Sequence, residues 1–259
     1  RDDWVYDYSS KKLKPKIEFF IATFNSEIRR WKKSNKHIAT NNFVDRSIKW
    51  TSELELRMSK GLTFKFNKEK IIESIYRPFV KSLIYFEKGI IHRTYRQANF
   101  FSVEKGILEN KLISVSGLSS TKNFQVLATN LVPSLDFLEK TQCFGIYIYD
   151  DSGNRVDNIT DWALDKFTAH YAANATKTAR KITKEAIFHY CYAVLHDPIY
   201  REKYAQNLKR EFPRIPLYGA LLADFWQWAG WGEALMALHI GYETAAPFAL
   251  ARTDAPDTK

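Results

Sequence analysis

The spacing of apolar and turn-forming residues changes near residues 79 and 158, and these two changes constrain the fold of this chain more than any other feature. Between them, short segments rich in Ile, Val, Phe and Tyr alternate with turn signals such as Ser116-Gly117 and the run at 150–154, which is typical of strands joined by tight connections. After residue 158, apolar side chains recur at helical spacing. The sequence therefore predicts an α+β fold, with a mixed or antiparallel β-sheet lobe followed by a helical C-terminal lobe.

Individual elements follow from the same patterns. In the N-terminal part we predict helices over 14–33, 52–60 and 68–76, and short strands over 47–50 and 62–66. A single sheet is expected from strands over 79–86, 99–103, 111–115, 124–128 and 143–149. The later helices are predicted over 182–196, with Thr183 as its N-cap, from Asp197-Pro198 to about 212, and over 221–242.

These elements divide the chain into four segments. A basic N-terminal helix and linker covers 1–39, a mixed α/β lobe 40–157, a helical lobe 158–245 and a tail 246–259. Because the chain opens on Arg1 rather than Met, we expect a piece of a longer polypeptide. No apolar run reaches the ~20 residues that cross a bilayer, and the two cysteines cannot form a disulfide framework. We therefore expect a cytoplasmic protein without a membrane partner.

The positive charge is concentrated at the N-terminus. The chain carries 39 Lys+Arg against 29 Asp+Glu, a formal charge of +10. Residues 1–100 account for 22 basic and 11 acidic groups, whereas residues 101–210 have a net charge of +2 and residues 211–259 one of −3. A pI near 9.4 and a basic surface on one segment favour a phosphate-backbone partner over a merely solvated basic face.

Catalytic and metal-binding patterns are absent from the sequence. It contains no GxGxxG, GxxxxGK[ST], HExxH, GxSxG or CxxC motif. His189 and His196 could share a helix face, but a third metal ligand is missing. Cys143 and Cys191 fall in apolar segments and are expected to be core residues. We therefore expect no catalytic residue and no metal site.

Two stretches combine guanidinium and amide groups with aromatic side chains. They cover residues 76–81 (YRPFVK) and 91–97 (IHRTYRQ) at the edges of the predicted sheet, and Arg and Gln can make bidentate contacts with base edges. The hydroxyl-rich segment 114–123 adds Lys122 and Asn123, which suit phosphate and base-edge hydrogen bonds. Ordinary solvated loops have a similar composition, so a structural interpretation stays open here.

A family resemblance rests on these and later residues. The runs at 76–79 (YRPF) and 142–144 (QCF), and above all those at 182–190 (ITKEAIFHY), 192–196 (YAVLH) and 200–216 (YREKYAQNLKREFPRIP), closely resemble the C-terminal specificity domain of type ISP restriction–modification enzymes. Members of this family are single polypeptides that join a nuclease, an ATP-driven translocase, an adenine-N6 methyltransferase and a terminal target recognition domain that serves bacterial defence.

The resemblance implies a domain that reads duplex DNA for the methyltransferase domain of the same parent chain. The methyltransferase Asn-Pro-Pro-Tyr motif, its glycine-rich cofactor motif and the helicase motifs are absent here. S-adenosylmethionine, ATP and Mg are thus expected only in upstream domains, and this segment is expected not to be an enzyme. The parent is expected to be a site-specific adenine DNA methyltransferase and ATP-dependent endonuclease.

Specific side chains are expected to contact DNA. In this interpretation, Arg and Gln side chains read bases, lysines hold phosphates, and the helical lobe braces the sheet lobe. The expected DNA contacts are Arg77, Lys81, Arg93, Arg96, Gln97, Lys122 and Asn123. Weaker backbone contacts are expected from Arg29, Arg30, Lys32 and Lys33. Two alternatives are a divergent stand-alone DNA methyltransferase or nuclease, and a protein-docking module that uses Trp226, Trp228 and Trp231.

Overall fold

Helices and three separate sheets make up the part of the chain that the computed structural model describes, which is residues 2–34, 43–92, 94–172, 180–247 and 249–250. This confirms the predicted α+β class with a helical C-terminal segment. The expectation of a single sheet is wrong, because the strands between residues 71 and 157 pair in three groups.

The N-terminal segment is dominated by one long helix. Helix α1 (Asp2–Val5) and strand β1 (Tyr6–Asp7) lead into α2 (Ser10–Lys33), which starts four residues earlier than predicted and contains Pro15 in its interior. The apolar stripe of α2 is buried against residues 48–90. Helix α3 (Ser52–Ser59) follows as predicted, with the Thr51 hydroxyl accepting from the Leu54 amide. The strands predicted over 47–50 and 62–66 do not form.

The first sheet has the strand order β1-β3-β2-β6. Strands β2 (Ile71–Arg77) and β3 (Val80–Tyr85) form a tight antiparallel hairpin, and β6 (Val132–Pro133) joins β2 in parallel. The helix predicted over 68–76 is therefore wrong. Only Lys68–Lys70 makes a 3-10 turn, because the β-branched isoleucines of β2 pair with the adjacent strand of the hairpin.

The second sheet is antiparallel with the order β5-β4-β7. It consists of β4 (Leu112–Val115), β5 (Val126–Thr129) and β7 (Gln142–Gly145). A two-stranded ribbon follows, β8 (Tyr147–Tyr149) with β9 (Arg155–Asp157). The strand predicted over 99–103 is wrong, because helix α4 (Gln97–Phe100) covers its start and a 3-10 turn begins at its last residue, Val103. The buried Phe100 and Phe101 pack in a core shared with β4.

The helical lobe contains α5 (Asp161–Tyr171), α6 (Lys184–His196), α7 (Pro198–Lys203) and α8 (Leu222–Ile240). Thr183 caps α6 as predicted, but α7 ends nine residues earlier than expected. One hydrophobic cluster joins α5, α6 and α8 to strands β4 and β5, so the core runs across the predicted segment boundary at residue 157. Within the described ranges, no helix is long and apolar enough to cross a membrane.

Candidate nucleic-acid interface

Strand β6 brings two of the predicted contact residues together. The Ser134 amide donates to the Ile75 carbonyl at 3.0 Å, and its hydroxyl donates to the Tyr76 carbonyl at 2.7 Å. Arg77 Nη1 reaches the Ser134 hydroxyl at 3.4 Å, while Gln97 Nε2 donates to the carbonyl of the preceding residue, Pro133, at 2.7 Å. Arg77 and Gln97 are thus held beside one short segment although 20 positions separate them in sequence.

Arg77 and Arg96 differ in how far their side chains are held by other residues. The Arg77 guanidinium stacks on the Tyr76 ring at 4.1 Å and donates to the Tyr76 carbonyl at 2.7 Å, so its position is fixed. Arg96, at the N-cap of α4, is exposed and its side chain has no partner within the described ranges. Tyr95 beside it is 73% exposed and adopts a positive φ of 48°. Arg93, also predicted as a contact, lies outside the described residues.

The loop that carries Lys122 and Asn123 is organised around one carboxylate. Glu139 accepts hydrogen bonds from the Ser120 hydroxyl at 2.6 Å, from the Thr121 amide at 3.0 Å and from the Lys122 amide at 3.2 Å. These bonds, led by that of Ser120, lower the pKa of Glu139. The side chains of Lys122 and Asn123 themselves are exposed. The loop therefore presents an ordered backbone and free functional groups.

At the base of this loop, the backbone of Gly117 packs directly against the backbone of residues 139–140. A Cβ on Gly117 would lie 2.2 Å from the Lys140 carbonyl oxygen, and the Gly117 amide donates to the Glu139 carbonyl at 2.9 Å. Lys140 Nζ in turn donates to the Ser119 carbonyl at 2.8 Å. Segments 117–123 and 134–141 form one loop cluster, and Ser134 connects that cluster to Arg77.

Lys81 has a different environment from the other predicted contacts. Its ammonium forms an ion pair with Glu243, beyond the end of α8, and lies 5.8 Å from the centre of the Tyr242 ring. The hydrogen bond with Glu243 raises the pKa of Lys81. Phe79, at the tip of the same hairpin, contacts Tyr242 with ring centres 5.2 Å apart. Lys81 thus helps to fix the β2–β3 hairpin against the helical lobe.

The four cations predicted to contact the DNA backbone lie at the C-terminal end of α2 and are all exposed. Arg30 pairs with Glu27 at 2.6 Å and stacks over the Phe43 ring at 4.3 Å, and Lys32 reaches the Gly61 carbonyl at 3.4 Å. Arg29 and Lys33 have no side-chain partner within the described ranges.

Sequence reasoning missed that the helical lobe also reaches the loop cluster. The Ser119 amide donates to the Lys209 carbonyl at 3.1 Å, and the Arg201 guanidinium donates to the Phe124 carbonyl. Lys209 and the exposed Arg210 therefore lie beside the loop that carries Lys122. The signal was the basic composition of 201–214, which the sequence alone attributes to a solvated helix surface.

The remaining reactive groups are used structurally. Burial raises the pKa of Cys143 to about 11 and that of Cys191 to about 12, so both thiols are protonated at neutral pH. His196 Nδ1 is 2.8 Å from the Tyr192 carbonyl oxygen. Within the described ranges, no group of three or more His, Cys, Asp or Glu side chains could hold a metal ion. Of the three tryptophans on α8, Trp226 and Trp228 pack against the core, and Trp231 is 53% exposed.

The described residues thus form an α+β domain that presents cationic, amide and hydroxyl groups on ordered loops. The sequence model of the Type ISP C-terminal specificity domain matches residues 1–259. This chain therefore belongs to the Type ISP C-terminal specificity domain family. No match was found among curated proteins.

Three solved structures are similar to this chain. DrdV, determined by cryo-EM as a complex with DNA, is 43% identical, with a TM-score of 0.85 over 100% of this chain and 24% of its own. A nuclease-deletion mutant of the Type ISP enzyme LlaGI, in complex with a DNA substrate mimic, is 24% identical, with a TM-score of 0.75 over 94% of this chain and 21% of its own.

The ATP-dependent Type ISP enzyme LlaBIII, bound to DNA, is 23% identical, with a TM-score of 0.77 over 96% of this chain and 16% of its own. At these identities LlaGI and LlaBIII show the fold alone. The chain thus spans a quarter or less of each of these three chains.

Proposed function

We propose that this domain recognises the DNA target of a Type ISP restriction–modification enzyme, with residues 40–157 as the lobe that faces the DNA and 158–245 as its helical support. The meeting of Arg77 and Gln97 beside strand β6, with the exposed Arg96 next to Gln97 in the chain, carries the proposal, because Arg and Gln side chains can bond guanine and adenine edges. Family membership and the DNA complex of DrdV, at 43% identity, support it.

The proposed DNA contacts fall into two groups, side chains with free functional groups and side chains held by other residues of the domain. Arg96, Lys122 and Asn123 are exposed and have free functional groups, so they contact DNA directly. Arg77 and Gln97 are held by β6 and present only their remaining donors. Lys81, engaged by Glu243, holds the hairpin in place and contributes a weaker phosphate contact. The cations at the end of α2 extend the same attraction along the backbone.

The parent polypeptide is part of the proposal. This domain would select the site at which a methyltransferase domain of the same chain transfers a methyl group to adenine and from which an ATP-driven nuclease acts. S-adenosylmethionine, ATP and Mg would be bound by those other domains, in the cytoplasm. The domain itself would not be an enzyme. Incubation of the 259-residue chain with duplex DNA and labelled S-adenosylmethionine tests this, since any transfer of label would contradict a role in binding only.

Selection from randomised duplex DNA with the 259-residue chain, followed by fluorescence anisotropy of the selected and a scrambled duplex, tests recognition. Arg96→Ala is expected to weaken binding of the selected duplex about 5- to 150-fold, which corresponds to roughly 1–3 kcal/mol, with little effect on the scrambled one. Lys122→Ala should weaken both and lower the salt slope by about 0.9.

Lys166→Ala provides the matched control, because this exposed lysine lies on α5 in the helical lobe and its removal should change neither affinity nor salt slope. Absence of salt-sensitive binding to any duplex would refute the proposed function. It would favour the docking module, which needs no phosphate contacts.

A further inference from the structure

An exposed pair of aromatic rings lies beside the loop cluster. Phe144 on β7 and Phe212, in the segment after α7, meet edge to face with ring centres 5.6 Å apart and an interplanar angle of 87°. Phe144 is 38% exposed and Phe212 is 47% exposed. Neither ring belongs to a hydrophobic cluster of the described residues, so core packing does not account for this apolar surface.

The position of the pair follows from the sheet. Phe144 stands opposite Ile113 in the β4–β7 register, and it therefore shares the face on which Ile113 packs against the helical lobe. Strand β7 is at the edge of that sheet, however, so the ring of Phe144 reaches beyond the core. Phe212 approaches it from the helical lobe, and the two rings mark the seam between sheet and helices.

The charge around the rings is positive. Lys209 and Arg210 precede Phe212 and Arg214 follows it, while Lys122 and Lys140 lie on the loop cluster, which the Ser119–Lys209 hydrogen bond joins to this segment. Against these five cations, segments 117–123, 134–141 and 209–214 carry three carboxylates, Asp136, Glu139 and Glu211, so five minus three leaves a net charge of +2. Glu139 accepts the bonds of the 120–122 loop, and Glu211 pairs with Arg214 at 2.8 Å. A ligand of this surface must combine negative charge with flat apolar faces.

We infer that Phe144 and Phe212 stack against the base or sugar of one nucleotide of the bound DNA, while Arg210 holds an adjacent phosphate. In duplex DNA the faces of the bases are covered by their neighbours, so aromatic rings reach a base by inserting at a base step or by stacking on a base that has left the helix. Cations beside such rings hold the adjacent phosphate. The inference rests on the proposed function and adds the helical lobe to the binding surface. It favours DNA over an acidic protein because the rings continue the surface of Lys122 and Asn123.

Substitution of the rings tests the stacking. Phe212→Leu and Phe144→Leu keep the apolar bulk and are each expected to weaken binding of the selected duplex about 5- to 100-fold with an unchanged salt slope, since no charge is removed. Arg210→Ala should instead lower the salt slope by about 0.9. Trp162→Leu is the control, because this tryptophan is 69% exposed on α5 and its loss should leave DNA binding unchanged.

A second readout locates the contact. With 2-aminopurine placed at successive positions of the selected duplex, the wild-type chain should change the fluorescence at one position, and Phe212→Leu should abolish that change. Thermal melts establish that each variant is folded. If Phe144→Leu fails to fold, Phe212→Leu and Arg210→Ala carry the test, because both of these side chains are exposed.

The outcomes separate this inference from the proposed function. Wild-type affinity of both phenylalanine variants, together with weakened binding by Lys122→Ala, would overturn the stacking and leave the proposed function intact. That result would point to a protein as the occupant of the ring pair. If the wild-type chain itself binds no duplex, the proposed function fails with it.

Discussion

Two glycines on helix α8 should respond to the same substitution with opposite changes in stability. Gly230 is exposed, and a Cβ added there would meet nothing within 4 Å. Gly232 is buried at the crossing with α6, where a Cβ would lie 1.8 Å from the His189 carbonyl oxygen and 3.1 Å from the Ala193 amide nitrogen. The backbones of α6 and α8 can approach this closely only because position 232 lacks a Cβ.

The magnitudes follow from these distances. Gly230→Ala should raise the free energy of unfolding by about 0.5–1 kcal/mol, which is the helix propensity difference between the two residues. The same gain applies to Gly232→Ala, but a methyl group against a helix backbone must push α6 and α8 apart, and overpacking of a core costs about 1–3 kcal/mol or more. We expect a net loss of about 2 kcal/mol for Gly232→Ala.

Urea denaturation followed by tryptophan fluorescence measures both variants, since three tryptophans lie on α8 itself. The Gly230→Ala variant serves as the control for the substitution as such. A change of the same sign in both variants, or a stabilised Gly232→Ala, would refute the close helix crossing. Because α8 packs on β5 through the shared core, Gly232→Ala should also weaken DNA binding, whereas Gly230→Ala should leave it unchanged.

Further predictions concern buried hydroxyls, the loop carboxylate and pH. Tyr190→Phe removes a hydroxyl that donates to the Pro216 carbonyl and accepts from the Tyr218 amide, so urea denaturation should show a loss of about 2–3 kcal/mol. Tyr204→Phe, whose hydroxyl has no partner within the described ranges, should stay within about 0.5 kcal/mol of wild type. Glu139→Ala should weaken DNA binding measured by anisotropy, because the 120–122 loop loses the oxygen that accepts its hydrogen bonds. Tighter binding would mean that only the repulsive charge of Glu139 matters. Burial lowers the pKa of His189, His196 and His239. As the pH is lowered from about 7.5 to 5.5, these histidines therefore bind protons in the unfolded chain before they do so in the folded one, and the free energy of unfolding measured by urea denaturation should fall.

Capping residues and short apolar runs in the sequence correctly predict a helix start and several strands. Thr183 is followed by a helical apolar pattern, and the structure shows it capping α6. Strands β4 and β5 were predicted from short apolar runs between turns. Strand β2 was missed because its isoleucines, at positions 71, 72 and 75, fit a helix as well as a strand, and only the pairing with β3 and β6 decides between them.

The candidate site was predictable by residue type and not by arrangement. Arg77 and Gln97 carry suitable donors, which the sequence shows directly. Their meeting at Pro133 and Ser134 depends on a parallel pairing of β6 with β2, which no local pattern encodes. The same holds for Lys81, whose partner Glu243 lies 162 positions further along the chain, and for the contact of Phe144 with Phe212.

The missing side chain at Gly117 also has a consequence for how specificity could change. The stem of the 117–123 loop is held against residues 139–140 by backbone contacts. The exposed residues 122 and 123 can therefore be substituted without changing the contacts that hold the loop. Libraries randomised at 122 and 123, with Gly117 and Glu139 kept, are therefore expected to yield folded domains with altered DNA preference. Randomising Gly117 instead should yield mainly misfolded ones. Positions 122 and 123 can thus change DNA preference, whereas Gly117 is required for folding.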